Sequence, residues 1–156
     1  MTDIARLFGW RRAPGFYKDR LFHLAVLAAF FFWAALWLYT PVRPVSPHQV
    51  LSWKYFFLVF LQPILEESAF RGFLQGWFYQ FPWGRSGRRG VTSANGLTSI
   101  LFTLGHFGSH PPLWAVSVLI PSLIFGYFRD RYGSVTPSIV LHLIYNAGYF
   151  TLTGLP

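Results

Sequence analysis

The stretch GVTSANGLTSILFTLGHFGSHPPLWAVSVLIPSLIFGYF, residues 90–128, contains no Asp, Glu, Lys or Arg. Its 39 residues are too many for one membrane span, since about 20 apolar residues cross a bilayer as a helix. A cluster of residues that break helices lies in its middle: Gly108, Pro111 and Pro112. The stretch therefore predicts a hairpin of two spans, about 91–107 and 112–128.

Three other apolar segments extend this pattern to five spans. They cover about residues 21–39, 50–80 and 135–153. The chain is accordingly predicted to be all-α, a polytopic transmembrane helical bundle. In this prediction residues 1–20 form a basic cytoplasmic N-terminus, and residues 21–156 form a single membrane-embedded domain.

The amino-acid composition excludes an ordinary soluble domain. Hydrophobic residues make up 53% of the chain and charged residues 12%, whereas a soluble domain has about 25% charged residues. Aromatic residues reach 21%, which suits a protein that is anchored at the bilayer interfaces. The sequence contains no cysteine, so a disulfide, a thiol nucleophile and a thiolate metal site are excluded.

The net charge of +8 fits a membrane topology and does not indicate a nucleic-acid site. A nucleic-acid module clusters its basic residues on one soluble face, whereas here they lie in short stretches between apolar runs. With five spans, most basic residues fall on one side, which is cytoplasmic by the positive-inside rule: Arg6, Arg11, Arg12, Lys18, Arg20, Arg85, Arg88, Arg89, Arg129 and Arg131. We therefore expect a multi-pass protein of the cell membrane, in bacteria the inner membrane, with the N-terminus inside and the C-terminus outside.

Two of the five acidic residues, Glu66 and Glu67, are adjacent inside an apolar segment. A charge near the centre of a bilayer costs about 2.5 kcal/mol or more, so such residues are candidates for function. The alternative is that the pair ends the second span and lies in water. Glu67 and Arg71 are four residues apart, which favours an ion pair on one helix face. Glu66 is turned about 100° away from Glu67, which makes it the candidate general base.

Histidines and an asparagine supply polar groups to the third and fifth spans. His106 lies near the end of the third span, where it is either catalytic or a hydrogen-bonded structural residue, and His110 in the following turn is interpreted as interfacial. His142 and Asn146 are four residues apart and share one face of the fifth span. Both can donate hydrogen bonds to an oxyanion, and both can instead join helices. Because polar groups in lipid need partners, the three polar spans are predicted to surround one cavity.

Three motifs on these spans resemble those of a known family. Residues 66–72, EESAFRG, match E-E-x-x-x-R; residues 102–106, FTLGH, match F-x-x-x-H; and residues 142–146, HLIYN, match H-x-x-x-N. In this order they resemble the CPBP family, which comprises CAAX-prenyl proteases and bacteriocin-processing or immunity-associated proteins. The resemblance covers about residues 60–156.

The resemblance implies a glutamic-type intramembrane protease in a helical bundle. Carried over by position, the catalytic residues would be Glu66, His106, His142 and Asn146, with Glu67 and Arg71 in support. Glu66 with His106 would activate the attacking water, and the other two catalytic residues would stabilise the oxyanion. The implied partners are the lipid bilayer and a membrane-anchored or lipidated protein substrate. For a compact bacterial member, that substrate would carry a C-terminal sorting tail, with a transmembrane helix followed by basic residues.

Two other functions stay open from the sequence. A zinc-dependent membrane protease would find two histidines and two glutamates as ligands, but the H-E-x-x-H motif of such enzymes is absent from the sequence. A membrane scaffold, an immunity protein or a proton-coupled transporter would use intramembrane carboxylates without proteolysis. The protease prediction includes no cofactor, no bound metal and no nucleic-acid partner.

Overall fold

The computed structural model describes Ala5 and residues 7–39, 43–88 and 90–156. Over these residues the chain is mostly helical, which confirms the helical character of the predicted fold. Two basic residues that the sequence assigns to the cytoplasmic side lie outside the described residues: Arg6 and Arg89.

The helices lie where the sequence has its apolar segments. A short 3-10 turn at Phe16–Lys18 precedes α1 (Arg20–Tyr39) and α2 (Pro47–Val50). Residues 53–78 form one continuous helical segment that consists of α3 (Trp53–Phe56), a first π segment (Phe57–Leu61), α4 (Gln62–Glu67), a second π segment (Ser68–Leu74) and α5 (Gln75–Phe78). The later helices are α6 (Pro82–Arg85), α7 (Ser93–His106), α8 (Pro112–Ser117), α9 (Leu119–Tyr132) and α10 (Thr136–Thr153).

A two-stranded antiparallel hairpin lies between α6 and α7 and makes the fold mostly helical rather than all-α. β1 (Gly87–Arg88) pairs with β2 (Val91–Thr92). Gly90 has a φ of 82°, a left-handed conformation that is favourable for glycine because it has no Cβ. Each strand spans two residues, which is too short for the alternating apolar pattern that predicts strands.

Hydrogen-bonding side chains begin several helices. Ser46 Oγ accepts from Gln49 N at 3.3 Å, and Gln49 Oε1 accepts from Ser46 N at 2.8 Å, which caps α2 reciprocally. Thr92 Oγ1 accepts from Asn95 N at 3.0 Å at the start of α7. Gly133, with a φ of 57°, ends α9. The serine, glutamine and threonine side chains accept hydrogen bonds from backbone N–H groups at the start of a helix, where these groups lack helical partners. The glycine lets the chain turn at the end of α9.

Length and hydropathy identify one candidate membrane span among the described residues, Pro112–Tyr132, which contains α8 and α9. Arg20–Ala35, inside α1, is a shorter apolar helix. The number of spans and their orientation stay predictions.

Two compact units make up the chain. Unit 1 consists of Met1–Pro14 and Glu66–Ser138, and unit 2 consists of Gly15–Leu65 and Ile139–Pro156. The chain passes between the units inside α4 and again inside α10.

Helices α7 and α9 pack together in unit 1. Asn95 Nδ2, on α7, donates to Leu123 O, on α9, at 3.0 Å. Gly126 permits this approach, because a Cβ at that position would overlap the Asn95 side chain. Phe125 and Phe128 on α9 are buried. The two helices are therefore joined by apolar packing and by a buried amide, a combination that is typical of helix pairs in membranes.

Helix α1 contacts α10 in unit 2. Tyr145 OH donates to Ala25 O at 2.8 Å. A Cβ at Gly148 would overlap the Trp33 ring, so the glycine lets the two helices approach closely.

Candidate active site

The E-E-x-x-x-R motif lies where an α-helix becomes a π-helix. Glu66 and Glu67 end α4, and Arg71 lies inside the second π segment. Glu67 is fully buried and Glu66 is half-buried, so the two glutamates face different surroundings, as their predicted angular separation requires. π-helical turns occur frequently at functional sites.

Arg71 is the centre of a buried polar cluster in unit 1. Its Nε lies 3.3 Å from Glu67 Oε2, which confirms the predicted ion pair. Its Nη2 donates to Ser122 O at 2.9 Å and to Ser122 Oγ at 2.7 Å. Its guanidinium also lies over the Phe102 ring, 4.7 Å from the ring centroid. These contacts offset part of the desolvation of the buried charge, and Arg71 Nη1 has no hydrogen-bond partner among the described residues.

The second π segment frees a backbone carbonyl beside this cluster. Gln75 N donates to Phe70 O, five residues back, whereas in an α-helix it would donate to Arg71 O. Arg71 O instead accepts from Arg129 Nε at 3.1 Å. The sequence places Arg129 in a loop, but the structure places it in α9, where it is 8% exposed. Arg71 O has lost its α-helical donor, Gln75 N, to the π geometry. The buried Arg129 side chain supplies the hydrogen bond that this carbonyl needs.

The Phe102 ring connects the Arg71 cluster with the F-x-x-x-H motif. It meets the Phe70 ring edge-on, with centroids 4.9 Å apart. It also contacts the His106 ring, with centroids 4.7 Å apart. The Arg71 guanidinium lies over the same ring. Phe102 therefore contacts Arg71 of the first motif and His106 of the second. The structure thus brings E-E-x-x-x-R and F-x-x-x-H together within unit 1.

One ring nitrogen of His106 is hydrogen-bonded to its own helix. Nδ1 lies 2.9 Å from Phe102 O. A carbonyl oxygen only accepts hydrogen bonds, so Nδ1 carries a proton. In the neutral ring, Nε2 then keeps its lone pair. His106 can therefore accept a proton, or a hydrogen bond from water, at Nε2.

A stack of rings continues from His106 into the next turn. The His110 ring lies 5.9 Å from the His106 ring and 4.1 Å from the Trp114 ring, between centroids. Burial, and secondly the charge of His106, lower the pKa of His110 below its usual value of 6.5. The residue interpreted as interfacial is therefore a direct neighbour of the predicted catalytic histidine.

The H-x-x-x-N motif lies in unit 2, on α10. His142 is 7% exposed, and Asn146 Nδ2 donates to Leu58 O at 3.0 Å. Leu58 belongs to the first π segment, in which Gln62 N donates to Phe57 O, five residues back. Leu58 O therefore lacks its α-helical donor, and Asn146 replaces it. Asn146 therefore joins α10 to the first π segment. Joining helices is one of the two roles that the sequence left open for this residue.

The predicted catalytic residues are divided between the units. Unit 1 contains Glu66 and His106, and unit 2 contains His142 and Asn146. The approach of the two pairs to each other stays a prediction. Asn146 Nδ2 carries two N–H groups, and its bond to Leu58 uses one of them.

A second polar cluster, which the sequence did not predict, lies next to Arg71. Gln75 Nε2 donates to Asp130 Oδ1 at 2.8 Å, and Thr92 Oγ1 donates to Asp130 Oδ2 at 2.6 Å. Two signals were present in the sequence. Glu67, Arg71 and Gln75 recur every four residues, which places them on one helix face, and Asp130 is one of only five acidic residues in the chain.

The motif side chains of unit 1 supply groups for acid–base chemistry. Glu66 provides a half-buried carboxylate, and His106 provides an imidazole acceptor at Nε2. General acid–base catalysis of hydrolysis uses such groups. In the described part of the chain, no three His, Asp or Glu side chains are grouped closely enough to hold a metal ion.

Comparison with known proteins identifies the family. The family model described as type II CAAX prenyl endopeptidase Rce1-like matches residues 47–148, which include all three motifs. No curated protein and no solved structure matched the chain. The match covers well over half of the 156 residues, and the family consists of membrane-embedded helical proteases. The chain therefore belongs to the Rce1-like type II CAAX prenyl endopeptidase family, in agreement with its resemblance to the CPBP proteins.

Proposed function

We propose that this chain is a glutamate-dependent intramembrane endopeptidase that hydrolyses a peptide bond of a membrane-anchored or lipidated protein. The family match supports peptide-bond hydrolysis in the membrane. The observation that carries the proposal is the Phe102 ring, which contacts Arg71 of the first motif and His106 of the second. That contact supports a shared site for Glu66 and His106.

In the proposed reaction, Glu66 accepts a proton from a water molecule. His106 orients the same water, because Nε2 is the ring nitrogen that can accept a hydrogen bond. The resulting hydroxide attacks the carbonyl carbon of the scissile bond and forms a tetrahedral intermediate. The C–N bond then breaks while Glu66 returns the proton to the leaving amine, which gives an amine product and a carboxylic acid product that ionises at neutral pH.

The remaining motif residues stabilise this reaction. His142 and the second N–H of Asn146 donate hydrogen bonds to the oxyanion of the intermediate. Glu67 and Arg71 support the site, because their buried ion pair fixes the turn that follows Glu66.

For the substrate we propose a C-terminal tail whose transmembrane helix is followed by basic residues. A prenylated CAAX tail, which the family description names, is the second substrate to test. In the proposed topology the chain has five spans in a bacterial inner membrane, with the N-terminus in the cytoplasm.

The test is cleavage of both tails by purified protein in liposomes that contain a strong metal chelator. We expect the wild type to cleave at least one tail. Glu66→Gln and His106→Gln should each lower the rate by about 10²-fold or more, since general acid–base catalysis contributes about 10²–10⁴-fold. His48→Gln, at an exposed histidine of α2, is the matched control and should keep the wild-type rate.

Each other result has a defined meaning. Equal cleavage by the wild type and a folded Glu66→Gln variant would remove Glu66 from the chemistry. Cleavage that chelator abolishes and zinc restores would establish the metal-dependent protease. A folded wild type that cleaves neither tail would favour the non-enzymatic scaffold.

A further inference from the structure

Unit 1 contains a cavity of about 660 Å³ whose lining does not include the predicted catalytic residues. Its charged lining comes from three separate parts of the chain: Arg11 before α1, Arg85 in α6, and Arg129 and Asp130 in α9. A cavity of this volume is in the range that holds small ligands. The sequence assigns all three arginine-bearing segments to the cytoplasmic side of the membrane.

The three arginines are oriented by backbone carbonyls. Each donates from Nε and Nη2 to carbonyl oxygens: Arg11 to Gly133 and Tyr132, Arg85 to Tyr79 and Gln80, and Arg129 to Arg71 and Leu7. A carbonyl orients a guanidinium but does not neutralise its charge. None of the three Nη1 atoms donates to a described residue, and a guanidinium has five N–H donors in total. The cavity is therefore lined by three oriented guanidinium groups whose Nη1 donors have no partner among the described residues.

The positive charge of this lining is not compensated by carboxylates. Asp130 is its acidic member, and both of its oxygens already accept hydrogen bonds, from Gln75 and from Thr92. Three arginines against one aspartate leave an excess of two positive charges. None of the three arginines forms an ion pair with a described residue. Arg129 is 8% exposed, and its charge interacts favourably with Asp130 and unfavourably with Arg11. Because one aspartate cannot balance three arginines, an anion in the cavity would stabilise the lining.

One exposed aromatic side chain lines the cavity, and two more follow it in the chain. Tyr79 lines it and is 40% exposed. Phe81 and Trp83, which follow Tyr79 in the chain, are 40% and 46% exposed and stack with centroids 5.9 Å apart. Tyrosine and tryptophan concentrate at the level of lipid headgroups. Anionic headgroups attract basic residues that lie near the cytoplasmic surface.

We propose that this cavity binds a net-anionic phosphate group. Guanidinium groups recognise phosphate oxygens with paired, charge-assisted hydrogen bonds, and the three Nη1 atoms supply the donors. Such a phosphate can come from the headgroup of an anionic phospholipid or from a soluble phosphate. The proposal does not rest on the proposed protease chemistry.

The test measures thermal unfolding of the purified full chain by tryptophan fluorescence in zwitterionic micelles. We expect short-chain phosphatidylglycerol to raise the Tm in a saturable manner, because a ligand that binds the folded state stabilises it. Phosphatidylcholine at the same concentration should not raise the Tm. Arg11→Gln and Arg85→Gln should each weaken the apparent affinity about tenfold, the size expected when a charge-assisted hydrogen bond is lost.

Matched controls separate binding from folding. Arg12→Gln and Arg88→Gln remove exposed arginines outside the lining and should bind as the wild type does. Arg11→Gln also loses its bonds to Gly133 and Tyr132, so each shift is measured from the variant's own Tm without lipid. Arg85→Lys keeps the charge and should retain more of the affinity than Arg85→Gln.

The same titration with inorganic phosphate identifies the source of the anion. A shift only with phosphatidylglycerol assigns the site to a lipid headgroup, and an equal shift with inorganic phosphate assigns it to a soluble phosphate. Equal shifts with phosphatidylcholine and phosphatidylglycerol would overturn the proposal. Wild-type affinity in both Gln variants of the lining would overturn it as well.

Discussion

At the scale of single residues, Arg71 has the largest expected effect on stability, because it is fully buried and paired with Glu67. Arg71→Met leaves the Glu67 carboxylate buried without its cation, so the free energy of unfolding should fall by about 3–5 kcal/mol. Replacing both charges, in Glu67→Gln with Arg71→Met, should restore much of that loss, since a charge is no longer buried alone. Unfolding of the purified variants in detergent measures both effects.

Ser122→Ala provides the control for Arg71. It removes one side-chain hydrogen bond but leaves the ion pair and the bond to Ser122 O. The expected loss is about 1 kcal/mol, the usual net contribution of one hydrogen bond. A loss in Arg71→Met no larger than that in Ser122→Ala would show that the ion pair does not stabilise unit 1.

His110 makes a second prediction at this scale. Burial and the neighbouring His106 lower the pKa of His110 below 6.5, so the neutral ring is favoured in the folded protein. The contribution of neutral His110 to the free energy of unfolding is complete above pH 6.5 and is lost as the pH falls through the lowered pKa of His110. NMR of labelled histidine should show His110 titrating below 6.5. The variant His106→Gln should raise the pKa of His110, because it removes the charge of His106. A His110 signal that titrates at or above 6.5 would contradict this.

At the scale of secondary-structure elements, Gly76 in α5 lies directly against the N-terminal segment. A Cβ at Gly76 would overlap the Leu7 carbonyl oxygen, and backbone atoms cannot rotate away as a side chain does. Gly76→Ala should therefore lower the free energy of unfolding by about 1–3 kcal/mol, as overpacking does. Gly96→Ala in α7 is the matched control: nothing lies within 4 Å of its Cβ, so alanine should stabilise by about 0.5–1 kcal/mol. Equal effects of the two alanines in thermal unfolding would contradict the close contact.

The positions of the helices could be predicted because long apolar stretches end at Pro and Gly. The predicted segment 91–107 corresponds to α7, Ser93–His106, and the predicted segment 135–153 to α10, Thr136–Thr153. The two π segments could not be predicted, because one widened turn does not alter an apolar pattern. They matter for the site, since each frees a carbonyl that accepts from a side chain, Leu58 O from Asn146 and Arg71 O from Arg129.

At the scale of the whole molecule, the sequence predicts contacts within a helix better than contacts between helices. The Glu67–Arg71 pair follows from a spacing of four residues. The partners Arg129–Arg71 and Gln75–Asp130 are 58 and 55 residues apart, and no local pattern connects such positions. Only their polar character inside an apolar sequence indicated that they required partners.

The proposed five-span topology gives the last prediction, because it fixes the side of every loop. The sequence has no cysteine, so a single introduced cysteine reports one position. Arg12→Cys and Arg88→Cys, both at exposed residues, should react with a membrane-impermeant maleimide only after the cells are lysed, since positive loops stay in the cytoplasm. Ser109→Cys, in the exposed turn between α7 and α8, should react in intact spheroplasts. Labelling of Ser109 on the same side as Arg88 would mean that α7 does not cross the bilayer. Labelling of Arg12 and Arg88 on opposite sides would mean that an odd number of spans separates them, because each crossing changes the side.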